Sequence, residues 1–298
     1  MRFGCVVLTQ GNRPDDLRAA IDSLLMQEGV ETDIVVVGNA WEPEGLPDGV
    51  RGIHVPEDRG IPAGRNAGVP HTTGELLFFL DDDAAILEPD ALAFVAQTLD
   101  HPPEGAWPLS EGGRGLVGLA QLRVEPRDGE RSRDWVPRLR VGDPARASDV
   151  AALWEGAVAM PRSVFDEVGG WPEEFRFVHE GVDLAWRVLD AGYRVRYAAE
   201  RSVSHPSADR VTARHGYSTY YGARNRVFLA RRHLPLPLGA LFVTSFVLRT
   251  LPHLRSAEQR TAARRGYRDG MRQPCGPRRR LRPRTLWAMT RAGRPPVL

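Results

Sequence analysis

Three adjacent carboxylates close an apolar run in this chain, Phe78-Phe79-Leu80-Asp81-Asp82-Asp83. Neighbouring negative charges repel one another, so a compensating group is needed, and a divalent cation held by oxygen ligands is the economical one. The same residues also suit a solvated turn with an aspartate capping the next helix. A second acidic group lies in His179-Glu180-Gly181-Val182-Asp183. Glu180 and Asp183 are three apart and share one face of a helix start. Glu180, just before that helix, can accept a proton as a general base. Asp183 can do the same, or it can pair with Arg187 four residues on. The segment Gly60-Ile61-Pro62-Ala63-Gly64-Arg65-Asn66-Ala67-Gly68 joins small residues to Arg65, a guanidinium fork suited to phosphate. Its glycines permit close approach either of a ligand or of a sheet. Ser204-His205-Pro206 supplies one imidazole, which is structural on its own and becomes a ligand candidate only beside carboxylates.

The elements that must carry these groups alternate between strand and helix. Arg2–Thr9 is a short apolar, β-branched run, as expected of a strand buried on both faces. Pro14 and two aspartates suit the start of a helix continued by Leu17, Ile21, Leu24 and Leu25. Asp33–Val37 predicts a second strand ending in Gly38-Asn39. Gly52–Val55 predicts a weak third, Pro62–Pro70 a short helix, Glu75–Leu80 a strand and Glu88–Leu99 a helix. Strands alternating with helices at this pitch predict a mostly parallel α/β sheet. Ligands in such sheets bind beyond the carboxyl ends of the strands, so Thr9-Gln10, Gly38-Asn39 and Asp81–Asp83 are expected to converge. His101–Arg114 and Pro126–Ser148 read as loops, the second long and mobile. Gly115–Val124, Ala151–Met160 and Tyr193–Ala198 read as further strands. Pro161–Val168, Val182–Ala191 and Thr212–Arg232 read as helices.

The chain has 298 residues, 42% of them hydrophobic and 26% charged. That composition excludes a disordered chain, a collagen-like repeat and a multi-span membrane protein. Cys5 and Cys275 stand at opposite ends, so neither a disulfide framework nor a cysteine-built zinc site is expected. The first residues run directly into a strand pattern, which predicts a cytosolic protein. A net charge of +2 hides an asymmetry: residues 249–298 hold 14 arginines against Glu258 and Asp269, while the rest of the chain is acidic. Leu234–Leu248 is uncharged but shorter than the roughly 20 residues needed to cross a bilayer. Together these features suit a helix at an anionic membrane surface. They also suit a helical cap packed on the acidic body, or a tail that meets nucleic acid non-specifically.

Taken in order, the motifs resemble the family 2 glycosyltransferases. The resemblance runs over about residues 3–206 and rests on the first strand and helix, Gly60–Gly68 with Arg65-Asn66, Leu80–Asp83, Gly169-Gly170-Trp171, the acidic helix start and His205. It implies a GT-A fold, a Rossmann-like, mostly parallel sheet flanked by helices over residues 1–210, with a helical extension over 211–298. It also implies an inverting, metal-dependent transferase using a nucleotide-sugar donor, with Mn²⁺ or Mg²⁺ as cofactor. The acceptor would be a glycan or lipid-linked, and the enzyme peripheral at the inner face of the cell membrane through residues 234–298. No specific nucleic-acid partner is expected. By the resemblance, Asp81 and Asp82 sit near the donor, Asp83 and His205 hold the metal, and Thr9, Asn39 and Arg65 contribute to the donor site. Two positions depart from the family pattern. Gly38 stands where an aspartate usually meets the base, with Asn39 next to it. Gly181 stands where the catalytic base usually lies, which moves that role to Glu180, with Asp183 second. A relative that binds substrates at the membrane without turnover is the alternative reading.

Overall fold

The computed structural model describes residues 1–101, 115–127, 135–206, 215–291 and 294–296. The expected loop at 101–114 falls outside them except for His101, and so does part of the one at 126–148. The chain begins with β1 (Arg2–Thr9), α1 (Pro14–Leu25), β2 (Glu31–Asn39), β3 (Arg51–Val55), α2 (Ile61–Gly68) and β4 (Leu76–Asp81). It continues through β5 (Ala85–Ile86), α3 (Ala91–Asp100), β6 (Val117–Pro126), β7 (Ser148–Asp149), β8 (Ala157–Pro161) and α4 (Arg162–Val168). The last elements are α5 (Glu180–Asp190), β9 (Arg194–His205), α6 (His215–His233), α7 (Leu236–Thr250), α8 (Ala257–Arg272) and α9 (Pro283–Arg291).

One sheet runs in the order β3-β2-β1-β4-β8-β6-β9-β5, with β7 on β9. The β3-β2-β1-β4 half is parallel, as expected. The other half is mixed, because β8 enters antiparallel to both β4 and β6. Only Ala157–Pro161 of the apolar run 151–160 forms that strand. Residues 151–156 precede it without joining a strand, a distinction that an apolar run cannot reveal.

The sheet is covered on both faces, which explains why its strands are apolar throughout rather than alternating. Phe3, Cys5 and Val7 of β1 and Leu76, Phe78 and Leu80 of β4 join the core formed with α1 and α3. Val6, Leu77 and Phe79 face the opposite core, which takes in α4 and α5. That second core also includes Phe228, Leu229, Leu234, Phe242, Leu281 and Met289. The carboxyl-terminal helices are therefore packed on the sheet-bearing body. α7 leaves large apolar side chains uncovered: Leu236 is 80% exposed, and Leu241 and Leu248 are also exposed. No helix among the described residues is long and apolar enough to cross a membrane.

α2 settles against β1 through its glycines. A Cβ at Gly64 would lie 2.4 Å from a Leu8 methyl, and one at Gly68 2.6 Å from Val6. The glycines of Gly60–Gly68 thus serve sheet packing, while Arg65 between them reaches Asp81 at the end of β4 and Asn66 holds the Trp171 backbone.

Candidate active site

The carboxyl ends of β1, β2 and β4 open on the same side, where β9 also ends. Thr9 is paired in register with Gly38, and Leu8 with Asp81. The Thr9 hydroxyl donates to Asp82 Oδ2 at 2.6 Å and accepts from the Gly11 amide at 3.0 Å. The Arg13 guanidinium bridges Asp82 and Asp83. His205 Nε2 lies 3.1 Å from Asp83 Oδ1, although the two residues are 122 positions apart in sequence. Trp135 and Trp154 enclose the His205 ring edge-on, with centroids at 5.1 and 5.0 Å. Buried Gln121 ties down both walls, donating to the Trp135 carbonyl at 3.0 Å and accepting from the Trp154 amide at 2.8 Å.

Electrostatics separates the three aspartates. Burial pushes Asp82 up to about 6, only partly offset by Arg13 and Thr9. Burial acts on Asp83 as well, but His205 and Arg13 outweigh it and hold Asp83 below the usual carboxylate range. Asp83 in turn raises His205 against the effect of burial. One ligand atom each from Asp81, Asp83 and His205 lie within 4.8 Å of one another. Two carboxylate oxygens and one imidazole form a donor set that suits Mn²⁺ or Mg²⁺ and lacks the thiolates that softer metals favour.

Arg65 links this cluster to a second pair of acids. It is buried over the Trp171 ring at 4.7 Å and donates to Asp81 at 2.6 Å. Its charge also acts on Glu155 and Glu180. Glu180 is 2% exposed, and its Oε2 has no hydrogen-bond partner among the described residues. Burial, followed by the charge of Glu155, pushes Glu180 up to about 8. Glu155 is raised too, chiefly by burial, and accepts from the Gly181 amide at 2.8 Å.

Glu155 also accounts for the absent side chain at position 181. A Cβ there would fall 2.5 Å from Glu155 Cγ and 2.7 Å from its Oε1. A carboxylate from the 151–156 segment thus fills the space that a residue at 181 would occupy. Sequence reading passed over Glu155, although the signal was present: it is the one charge in the apolar run Ala151–Met160. Arg13 and the two tryptophans carried no comparable signal, since only tertiary contact brings them to the aspartates.

Asn39 and Asp183 take other positions. Asn39 donates to Asp58 at 2.8 Å and accepts from the Arg59 amide at 3.0 Å, holding the turn into α2. Asp58 also accepts from the Gly60 amide and from Arg176. Gly38 has no room for the aspartate its position would otherwise carry, because a Cβ would lie 2.0 Å from the Trp41 carbonyl oxygen. Asp183 is 0% exposed, and both its oxygens are occupied. Oδ2 meets Arg187 Nε at 2.7 Å, while Oδ1 meets His233 Nε2 at 2.6 Å and Arg232 Nε at 3.1 Å. These partners outweigh burial and hold Asp183 far below the usual range. Arg187 extends the network to the carbonyls of Val168 and Gly170, fixing the Gly169-Gly170-Trp171 turn.

The sequence model of "Glycosyl transferase family 2" matches residues 5–169. A pre-mycofactocin glycosyltransferase of Mycobacterium tuberculosis is 27% identical over 239 residues, covering 76% of this chain and 47% of that protein. The O-antigen biosynthesis protein RfbC of Myxococcus xanthus is 27% identical over 231 residues, covering 69% of this chain and 17% of that one. The chain thus spans about half or less of the curated relatives it matches. Among solved structures, S. aureus TarS 1–349 in complex with UDP-GlcNAc aligns over 91% of this chain and 81% of its own, with a TM-score of 0.59 and 12% identity. The mannosyltransferase PcManGT from Pyrobaculum calidifontis, in complex with GDP-Man and Mn²⁺, aligns over 98% of this chain and 73% of its own, with a TM-score of 0.54 and 16% identity. At these identities the structural likeness establishes a shared fold. The family match, which covers more than half of the chain, establishes descent: the chain belongs to glycosyl transferase family 2.

Proposed function

We propose that the chain transfers a sugar from a nucleotide-sugar donor to an acceptor hydroxyl, with inversion at the sugar carbon. The observation that carries this reading is the pairing of two opposed sites through Arg65: the Asp81–Asp83–His205 cluster on one side and the Glu155–Glu180 pair on the other. Thr9, Asp81 and Asp82 line the donor end, and Asn39 shapes it by holding the Asp58–Gly60 turn. Asp83 and His205, with Asp81 beside them, would hold Mn²⁺ or Mg²⁺. When bound, such an ion neutralises charge developing on the departing diphosphate.

The protein's own residues supply the remaining steps. Glu155, half-buried where Glu180 is enclosed, takes the proton from the attacking hydroxyl. Glu180 behind it keeps the pair's affinity for a proton close to working pH, where a general base is most effective. Asp183 holds the turn and the helical extension rather than the proton. This assignment supports the transferase reading over a substrate-binding relative without turnover, because a buried, raised carboxyl with one oxygen unpartnered among the described residues has a cost in stability and no structural return.

The test is nucleotide release from a panel of UDP-, GDP- and dTDP-sugars with Mn²⁺ or Mg²⁺, with chelator, and with Asp83→Asn. Release from one donor is expected, and both chelation and the substitution should reduce it about 100-fold or more, as loss of several kcal/mol of charge stabilisation requires. Release that survives chelator overturns the metal requirement. No release from any donor, with or without a glycan or lipid-linked acceptor, overturns the activity.

The exposed leucines of α7, followed by Arg249 and the arginine-rich segment beyond it, support a peripheral contact with an anionic membrane surface. Co-sedimentation with vesicles containing phosphatidylglycerol is expected, with binding weakened in high salt and in Leu241→Ser/Leu248→Ser. Equal recovery with neutral vesicles would exclude the electrostatic part of that contact.

A further inference from the structure

The turn that leads into α5 is held in backbone shapes that most residues avoid. Among the described residues, four non-glycine positions take a positive φ. Three of them, Arg176 (φ 61°), Val178 (φ 55°) and His179 (φ 67°), stand in the run just before Glu180. Val178 is the most strained, because a β-branched side chain crowds its own backbone in the left-handed region. Such a run persists only where its surroundings over-determine it.

The surroundings here come mainly from α6. Asn225 is fully buried, and its Nδ2 donates to the carbonyls of Phe175, Phe177 and Val178 at 2.9, 2.7 and 2.8 Å. Its two N–H groups are thus spread over three acceptors. Asn225 Oδ1 accepts from Arg224 Nε at 3.0 Å, which fixes the end of the amide that meets the carbonyls. Arg224 Nη2 adds bonds to the carbonyls of Glu174 at 2.7 Å and Phe175 at 2.8 Å. From the opposite side, the Ile61 amide at the start of α2 donates to the Arg176 carbonyl at 2.8 Å. Each of the five carbonyls from Glu174 to Val178 therefore receives a donor from α6 or α2.

What this turn delivers is Glu180, the first residue of α5. The place it must reach is narrow. The Gly181 amide donates to Glu155 Oε1 at 2.8 Å, and even a Cβ at 181 would lie 2.5 Å from Glu155 Cγ and 2.6 Å from a Leu153 methyl. A small shift of the α5 start would therefore either press on Glu155 or draw the two carboxyls apart. Without the donors from α6, Val178 would relax to the ordinary negative φ and swing the α5 start away. We propose that Asn225 is a positioning residue for the proton-accepting pair: from the helical extension it clamps the left-handed Arg176–His179 turn and so sets Glu180 against Glu155. It acts through the main chain, since its hydrogen bonds run to Arg224 and to backbone carbonyls. The proposal rests on the reading of Glu155 and Glu180 as the proton acceptor. It makes the extension a working part of the site and not only a cover for the second core.

Asn225→Ala, measured in the full chain with and without Val178→Gly, tests it by nucleotide release and by hydrogen exchange of the backbone amides. Asn225→Ala is expected to lower kcat about 10- to 100-fold with the donor KM little changed, because a misplacement of about 1 Å at a reacting group costs up to that much. Amides of residues 177–181 should exchange faster while those of β1 and β4 keep their protection. Glycine takes a positive φ without strain. The loss caused by Asn225→Ala should therefore be about tenfold smaller when Val178→Gly is present in both chains compared. Where Asn225→Ala does not fold, Asn225→Ser keeps one donor at the same place, and the same rescue is expected of it. Unchanged kcat in Asn225→Ala beside a slow Glu155→Gln would overturn the clamp and leave the proton acceptor standing. A loss that Val178→Gly does not reduce, or protection lost throughout the sheet, would assign Asn225 to the fold alone. Full activity in Glu155→Gln would overturn the proton acceptor itself, and the proposal with it.

Discussion

Glu155→Gln is expected to lower kcat by about 10²- to 10⁴-fold, the range general-base catalysis supplies, with the donor KM little changed. Activity of the unsubstituted protein should rise with pH towards about 8, as the Glu155–Glu180 pair loses the proton that burial and mutual repulsion make it retain. Glu180→Gln removes one of the two charges, so the remaining carboxylate ionises more readily and the rising limb moves to lower pH. The effect on folding has the opposite character. A carboxyl group raised in the folded state contributes stability at low pH that is lost as pH climbs through its folded value. Glu180→Gln has no such proton to lose, so its stability relative to the parent should improve as pH rises from the ordinary glutamate range to about 8 and change no further above it. A variant that folds at least as well yet turns over slowly would mark the pair as functional. Full activity in Glu155→Gln with a dead Glu180→Gln would transfer the proton to Glu180. Full activity in both would remove the pair from the reaction.

The crowding at position 181 provides a stricter form of this experiment. Gly181→Asp alone drives its Cβ into the Glu155 side chain. In combination with Glu155→Gly the space is free, and a carboxylate returns to the same place from α5. Partial recovery over Glu155→Gly alone is the expected result, and it would show that the site requires a carboxylate at that point whichever segment delivers it.

Asp183→Asn is expected to destabilise the fold by about 3–5 kcal/mol, the usual consequence of removing one partner from a buried ion-pair network. Three cationic side chains, Arg187, Arg232 and His233, share this single carboxylate. Two of them belong to α6, so the loss would loosen the helical extension as well as the Gly169-Gly170-Trp171 turn. Asp183 is depressed in the folded state. Its contribution is therefore present above the ordinary aspartate value near 4 and fades as pH falls below it. Urea titrations at pH 7.5 and pH 3.5 should show a wide gap between parent and variant at the first and a narrower one at the second. A variant as stable as the parent at pH 7.5, with kcat reduced as in Glu155→Gln, would return Asp183 to the chemistry.

Much of the fold and half of the candidate site were legible in the residues alone. The apolar runs of β1, β2 and β4 announced strands buried on both faces, and the strand ends placed Thr9 and Asp81–Asp83 together. The structure pairs Thr9 with Gly38 and Leu8 with Asp81, in keeping with that convergence. Such signals are local: burial repeats along an element every two or 3.6 residues, and a single sequence records it. The ordered motifs sufficed for the family as well.

Other features depended on contacts between distant segments, which no periodicity encodes. The antiparallel entry of β8 carries Glu155 to the empty place at Gly181 and sets Trp154 against His205. Asp183 stands at a helix start where a base would fit, but α6 folds back and closes His233 and Arg232 over it. The arginine-rich extension read equally well as a membrane contact or as a cap, and its packing into the second core was decided only when Phe228, Leu234 and Met289 met the helices of the body. Composition alone determined which residues could ionise. The dielectric surroundings and the partners that set where each one does so exist only in the folded chain.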